Sequence, residues 1–208
     1  MTMKTITYSD NDAWLDGRRG KITGTRVKDL VVKRGTGQKK AYYELIAERI
    51  AIPRDPNESR IDRGHTLEAE AVERLAKETG LEFIQVDNEL WTREENANIA
   101  YSPDGYVPGK KIKTACEIKC LNSATHIEYY IKREIPTEYF DQVRQAFVVN
   151  DDLQALYFAM YDPSLPPTCD FFFIVITREE VAEEVAYLLD YQRQTIADIE
   201  AWVGKLTF

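Results

Sequence analysis

Cysteine is scarce in this chain: three in 208 residues, two of them at Cys116 and Cys120 on either side of a Glu-Ile-Lys triplet. Three thiols make neither a disulfide framework nor a zinc quartet, so Cys116 and Cys120 read most simply as packed side chains. Histidine is scarcer still, at two residues. His65 has no second histidine or thiol at ligand spacing and reads as a surface or satisfied polar residue. Long apolar runs are missing as well. No segment reaches the length that spans a bilayer, and residues 1–10 lack the apolar core of a secretion signal, so a cytoplasmic protein with no membrane partner is expected. Repeats, low-complexity tracts and obvious linkers are absent too. What remains is an ordinary globular composition, 44% hydrophobic and 30% charged, at a length suited to one domain over residues 1–208.

The net charge of −8 excludes a surface coated in nucleic-acid-binding groups. Its distribution is uneven, however. Residues 17–40 hold nine basic side chains (Arg18, Arg19, Lys21, Arg26, Lys28, Lys33, Arg34, Lys39 and Lys40) against one acid, Asp29, so this stretch carries +8 and the remainder −16. A basic stripe on an acidic body suits local grip on a phosphate backbone; the alternative is a solvated, charged helix face. Within the stripe, Arg18, Gly20, Lys21 and Gly24 stand just ahead of a helix through Val27, Leu30 and Val31 that Thr23 or Thr25 can cap. Glycines allow close approach, a helix start offers free amides, and arginine presents a two-pronged fork: together, a phosphate cradle.

Further along, a polar loop at 33–40 precedes a helix over 41–50 with Tyr42, Leu45, Ile46 and Ile50 inward. Tyr42 and Tyr43 are core residues or base-stacking groups on this pattern. After a turn at 53–59, a long helix over 60–79 carries Leu67, Ala71, Val72 and Leu75 on one stripe and stops at Gly80. Glu68 lies beside that stripe and is either an exposed helix acid or an inward one. The period then changes to two, predicting a meander of strands over 82–86, 89–92 and 98–101, with Ser102-Pro103-Asp104-Gly105 as a turn. Helices are predicted over 122–133 and 136–149, the second with Gln142 half-buried and in need of a polar partner. Strands over 154–161 and 168–177 and an acidic amphipathic helix over 178–206 complete the chain, with Phe171, Phe172 and Phe173 as core.

The informative stretch is the turn at 102–105 and the short apolar segment 114–120 that follows it. Alternation on a strand puts Glu117 and Lys119 on one face and Ile118 on the other. An acid and a lysine aimed together from a buried strand are costly to desolvate unless they pair or hold something. One reading is a strand-edge ion pair. The other adds the turn carboxylate of Asp104: oxygen ligands on one face suit Mg²⁺, which takes one or two carboxylates plus substrate phosphates. An Asp followed across a hairpin by Glu-X-Lys resembles the PD-(D/E)XK nuclease pattern, read here as Pro103-Asp104 and Glu117-Ile118-Lys119.

Over nearly the whole chain the sequence resembles the bacteriophage lambda exonuclease family, the YqaJ-type viral recombinases. The matching residues are Asp12-Ala13-Trp14, Arg18-Arg19-Gly20, Ile22-Thr23, Gly64 with Glu68, Tyr101 to Gly105, Glu117-Ile118-Lys119, Tyr139 with Gln142-Val143, Tyr157-Phe158-Ala159 and Tyr161-Asp162-Pro163. The resemblance implies an α/β fold with a restriction-endonuclease-like core, a central mixed β-sheet flanked by helices. It divides the chain into a basic 5′-phosphate-binding segment at about 11–50, a catalytic core at about 58–177 and an acidic helix at about 178–206. It implies a processive 5′-to-3′ exonuclease on linear double-stranded DNA, leaving a 3′ single strand for an annealing protein, and a ring-shaped homotrimer of phage or prophage origin. Carried over by position, Asp104, Glu117 and the carbonyl of Ile118 hold Mg²⁺, two ions in all, with Mn²⁺ an acceptable substitute. Glu68 is an outer ligand, Lys119 orients or activates the water, and Gln142 fixes the lysine and water. Arg18, Thr25 and Ser102 receive the 5′-phosphate. Two other readings stand beside this one: an endonuclease on the same fold, and a DNA-end binding module without catalysis.

Overall fold

The computed structural model describes residues 3–31, 41, 42, 45, 62–121 and 123–207, with the backbone alone for 62–66 and 124. The expected loop at 33–40, the turn at 53–59, most of the helix at 41–50 and the His65 side chain lie outside the described residues. Ala41, Tyr42 and Leu45 are helical and buried, which makes Tyr42 a core residue rather than a base-stacking one.

Strand β1 (Met3–Thr7) opens the chain. Helix α1 (Asn11–Arg18) follows, capped by Asp10, whose carboxylate accepts from the Ala13 amide at 2.8 Å. Helix α2 (Gly24–Leu30) is short, with Thr23 at the N-cap position but no side-chain cap bond. Helix α3 (Asp62–Thr79) ends at Gly80, which adopts φ +70, as its sequence position anticipates. Then come β2 (Ile84–Gln85), β3 (Glu89–Arg93), β4 (Ala100–Tyr101), β5 (Gly105–Tyr106) and β6 (Thr114–Lys119). Helices α4 (Ser123–Lys132) and α5 (Phe140–Val149) flank a tight helical turn at Thr137–Tyr139. Strands β7 (Ala155–Tyr161) and β8 (Phe171–Thr177) and the long helix α6 (Ala182–Leu206) finish the fold.

Two sheets form. The larger has the order β2-β5-β6-β7-β8 and is mixed, because β6 and β7 run parallel while the other pairs are antiparallel. The smaller is antiparallel, in the order β1-β3-β4. The expected single meander over 82–101 is therefore wrong: β2 joins the larger sheet and β3 the smaller. Asn88, held at φ 56, turns the chain between them, and its carbonyl accepts from the Tyr8 amide at 3.0 Å. That bond continues the β1–β3 pairing. β1 escaped the sequence reading because four of its five side chains are exposed, so it carries no apolar alternation.

β6 sits at the centre of the larger sheet and is covered on both faces, which explains its apolar run. On one face Cys116 and Ile118 pack with Ala159 and Phe83 under Ala71, Val72 and Leu75 of α3. On the other, Ala115 joins the main core of Val143, Phe147, Phe158 and Ile199, which α5 and α6 close. Burial of each such aliphatic or aromatic side chain stabilises by about 1.5–3 kcal/mol. Gln145 on α5 and Gln192 on α6 are fully buried and exchange amide hydrogen bonds at 3.0 and 2.7 Å. The Gln145 amide also donates to the carbonyls of Ile22 and Ala100, so one polar knot ties α6, α5, β4 and the segment before α2 together.

Gly105 is where the turn must pass close to its neighbours. A Cβ there would meet the Ile84 carbonyl oxygen at 2.7 Å and Cys116 Sγ at 3.0 Å. Backbone cannot yield as a flexible side-chain tip can, so Gly105→Ala is expected to destabilise by about 1–3 kcal/mol. Urea denaturation measures it, and an unchanged midpoint would mean that β2 moves aside freely.

Candidate active site

The floor of the site is two cross-ties between the 101–104 segment and β6. Tyr101 Oη donates to Glu117 Oε2 at 2.6 Å. In the opposite sense, the Ile118 amide donates to Asp104 Oδ2 at 2.7 Å. Glu117 Oε1 accepts two further donors, Lys119 Nζ and Gln142 Nε2. Lys119 Nζ also reaches the Ile118 carbonyl at 3.1 Å and lies 5.3 Å from the Tyr139 ring centre. Gln142 thus has the polar partner its position requires. The Glu117–Lys119 ion pair exists, but on the central strand rather than at an edge, and Glu117 is only 1% exposed.

A cavity of about 180 Å³ opens above this floor. Asp104, Glu117, Lys119 and Gln142 line it together with Glu68 from α3 and Arg18, Thr25 and Ser102. Apart from Ile118, whose carbonyl is contacted by Lys119 Nζ, the residues carried over by resemblance therefore meet in one cavity, although they come from α1, α2, α3, β6, α5 and a turn. Arg18 Nη2 donates to Thr25 Oγ1 at 3.2 Å, and its guanidinium stacks 4.3 Å from the Trp14 ring centre. Trp14 is itself pinned by a bond from its indole nitrogen to the Glu89 carbonyl, 3.2 Å. Ser102 Oγ is buried without a hydrogen-bond partner beside them. Gly24 lets α2 approach: a Cβ there would stand 3.0 Å from Gln142 and 3.1 Å from the Tyr101 ring. Gly20 and Lys21, expected in the cradle, do not line the cavity. Gly20 instead takes φ +70 to turn the chain out of α1.

Three groups in the cavity escaped the sequence reading: Tyr101 as a partner of Glu117, Trp14 as a platform for Arg18, and the wall from Val86 to Glu89. Tyr101 stands next to the Ser-Pro-Asp-Gly turn, so its place in the site was readable in principle. The 86–89 wall was not, because it depends on the division of strands between two sheets.

Burial pushes the Asp104 carboxyl well above the ordinary carboxylate range; Glu117 and Glu68 push the same way, while Lys119 and the Ile118 amide oppose them. Desolvation alone would lower the Lys119 ammonium, but Glu117 and Asp104 outweigh it and hold it above the usual lysine value. Arg18 is drawn below its usual value by desolvation against the pull of Glu117 and Asp104. Guanidinium remains charged regardless. The Cys120 thiol is pushed up to about 12, mainly by burial and by Glu68. The site is acidic at its centre, with one ammonium in contact and a guanidinium at the rim.

These donors fit a divalent cation that brings other ligands with it. Among the described residues no group of three or more His, Cys, Asp or Glu side chains forms a metal site by itself. The carboxylates of Asp104, Glu117 and Glu68 make an incomplete oxygen set, one that a hard divalent cation would complete with water and substrate oxygens. A cation there would also relieve the crowding that raises the Asp104 carboxyl.

The mixed sheet and this cleft define a nuclease of the PD-(D/E)XK class. More narrowly, the chain belongs to the YqaJ-like viral recombinase domain family, whose model matches residues 13–152. It is similar to the crystal structure of an alkaline exonuclease, LHK-Exo, from Laribacter hongkongensis: 29% identity over 95% of this chain and 96% of that one, with a TM-score of 0.76. The same protein in complex with dAMP superposes with a TM-score of 0.77 at 28% identity, covering 94% and 96% of the two chains. A phage-related exonuclease from Haemophilus somnus 129PT shares the fold, at 15% identity and a TM-score of 0.55 over 86% of this chain and 96% of that one. No curated protein matches. Among the described residues no helix is long and apolar enough to cross a membrane.

The raised Asp104 carboxyl has a consequence for stability. Above its ordinary value near 4, the unfolded chain ionises while the folded chain resists, so metal-free protein loses stability as pH rises through the raised folded value. Asp104→Asn is expected to abolish that loss. Melted in chelator from about pH 4 to about pH 8, the variant should gain on the wild type steadily; parallel curves would mean that Asp104 is not held in its protonated form.

Proposed function

We propose that this protein is a Mg²⁺-dependent exonuclease that degrades the 5′-ended strand of linear duplex DNA and leaves a 3′ single strand for an annealing partner. The observation that carries this reading is one cavity holding both an oxygen-ligand centre (Asp104, Glu117, Lys119) and a separate cationic, hydroxyl-bearing recess (Arg18, Thr25, Ser102). An endonuclease needs the first alone. A recess for a terminal phosphate beside the cutting centre is what end-dependence requires, and the orphaned Ser102 hydroxyl awaits an acceptor there.

On this reading Asp104, Glu117 and the Ile118 carbonyl would hold the metal, with Glu68 outside them. Divalent ions held there would supply charge stabilisation for phosphodiester hydrolysis. Lys119, paired with Glu117 and within 3.1 Å of the Ile118 carbonyl, would orient or activate the attacking water. Gln142 tethers the Glu117 oxygen that Lys119 also contacts, so the lysine head keeps a defined position. Arg18, braced by Trp14 and Thr25, grips the 5′-phosphate with its fork. Mn²⁺ is expected to replace Mg²⁺, because carboxylate sites accept both. Assembly as a homotrimeric ring would make digestion processive by encircling the product strand. A cytoplasmic, phage or prophage recombination role follows from the same reading.

The test compares linear duplexes carrying 5′-phosphate or 5′-hydroxyl ends with a covalently closed circle, with and without Mg²⁺. Metal-dependent loss of the 5′-phosphorylated strand, with the circle intact, is expected. Glu117→Ala and Lys119→Ala should each slow this by about 1,000-fold or more. Arg18→Ala should slow the phosphorylated substrate by about 10- to 100-fold and the hydroxyl substrate far less. Cutting of the circle would establish an endonuclease, and binding without cutting an end-binding module.

A further inference from the structure

Lys119 is held from three sides: its ammonium pairs with Glu117 Oε1, reaches the Ile118 carbonyl at 3.1 Å and stands 5.3 Å from the ring centre of Tyr139. The two oxygen contacts share a weakness. Both acceptors belong to the set that a divalent cation would occupy, and a cation seated there draws those oxygens to itself and repels the ammonium beside it. The ring is the contact that a metal does not compete for. An aromatic face is negative, so it attracts an ammonium without offering a ligand atom to a hard ion.

That ring is well fixed. Pro136 precedes the tight turn Thr137–Tyr139, and the Tyr139 amide donates to the Pro136 carbonyl at 2.9 Å. The half-buried ring packs 5.8 Å from the ring of Phe158, which is fully buried and stands opposite Glu117 in the β6–β7 register. Side chains opposite one another in register share a face, so Glu117, Lys119, Phe158 and Tyr139 make one layer on the α5 side of the sheet. The Tyr139 hydroxyl interacts with exposed Glu138, while the ring itself faces the ammonium.

We infer that Tyr139 is a positioning residue: its ring face keeps the Lys119 ammonium directed at the cleft once Glu117 and the Ile118 carbonyl are engaged by a metal. This inference rests on the proposed metal site and hydrolysis. An ammonium has three donors on a flexible four-carbon stem, and one that loses its oxygen acceptors is otherwise free to swing. Held against the ring, it keeps a donor turned into the cavity that Lys119 lines, where the attacking water would stand.

Two measurements test this. In the first, phenylalanines carrying progressively more ring fluorines replace Tyr139, with Tyr139→Phe as the reference. Fluorine withdraws charge from the ring face and leaves its shape nearly unchanged, and melting curves verify that packing is kept. The expected result is a stepwise fall in kcat, reaching about 2- to 30-fold below the reference, the scale of one cation–ring contact, at constant KM for DNA. The second needs no turnover: NMR follows the Lys119 ε-methylene protons, assigned by their loss in Lys119→Met. A ring above these protons displaces them upfield, and the displacement should persist on adding Mg²⁺ and vanish in Tyr139→Leu. A flat fluorine series, or an upfield displacement that is absent or lost on adding Mg²⁺, overturns the inference while the proposed hydrolysis stands. Wild-type protein that cuts no DNA overturns both.

Discussion

Two hydrogen bonds of opposite sense, Tyr101 to Glu117 and the Ile118 amide to Asp104, lock a turn to the middle of a β-sheet. Most of the architecture can be understood as what this lock requires. A turn cannot hold two carboxylates against their repulsion by itself. It needs a strand that is itself immobile, and β6, paired on both sides and covered on both faces, is such a strand. It also needs a close passage for the chain just after Asp104, which Gly105 provides against the Ile84 carbonyl. The Gln145–Gln192 knot then fixes α5, and with it Gln142, to the carbonyl of Ala100 beside Tyr101.

Electrostatics explains why such rigidity is concentrated here. Asp104, Glu117 and Glu68 are brought together where water is largely excluded, and their repulsion opposes folding. Lys119 offsets part of this by pairing with Glu117, a buried pair whose net contribution to stability is small once desolvation is counted. Destabilised charge of this kind is a common signature of a site built to receive a ligand rather than to hold the fold together. The neighbouring recess has the reverse character: Arg18 stacked on Trp14, with two hydroxyls close by, offers donors in search of an anion. Acidic and cationic halves therefore stand side by side in one cavity.

Much of this was legible in the sequence, and what was not has physical causes. The strand at 114–119 announced itself by apolar residues interrupted by an acid and a lysine, and α3 by its stripe of Leu67, Ala71, Val72 and Leu75. Those signals are local. The order of strands is not: β2 and β3 are adjacent in sequence yet belong to different sheets, because a left-handed Asn88 and the edge strand β1 divert the chain. No period in the sequence records that diversion. The convergence of Glu68 and Gln142 on the cavity is expected from family resemblance and does not follow from spacing alone, since a place beside an apolar stripe says which way a helix residue faces but not which other element it meets. Gly20 reads in sequence as part of a phosphate cradle because glycine allows close approach; its positive φ serves the turn out of α1 instead.

The most direct test of the whole reading is crystallographic: crystals soaked in Mn²⁺, with anomalous scattering used to locate the metal. A peak at coordination distance, about 2.1 Å, from carboxylate oxygens of Asp104 and Glu117 and from the Ile118 carbonyl is the predicted result. An anomalous map with no peak in this cavity at saturating Mn²⁺, or with the metal bound elsewhere in the molecule, would contradict it.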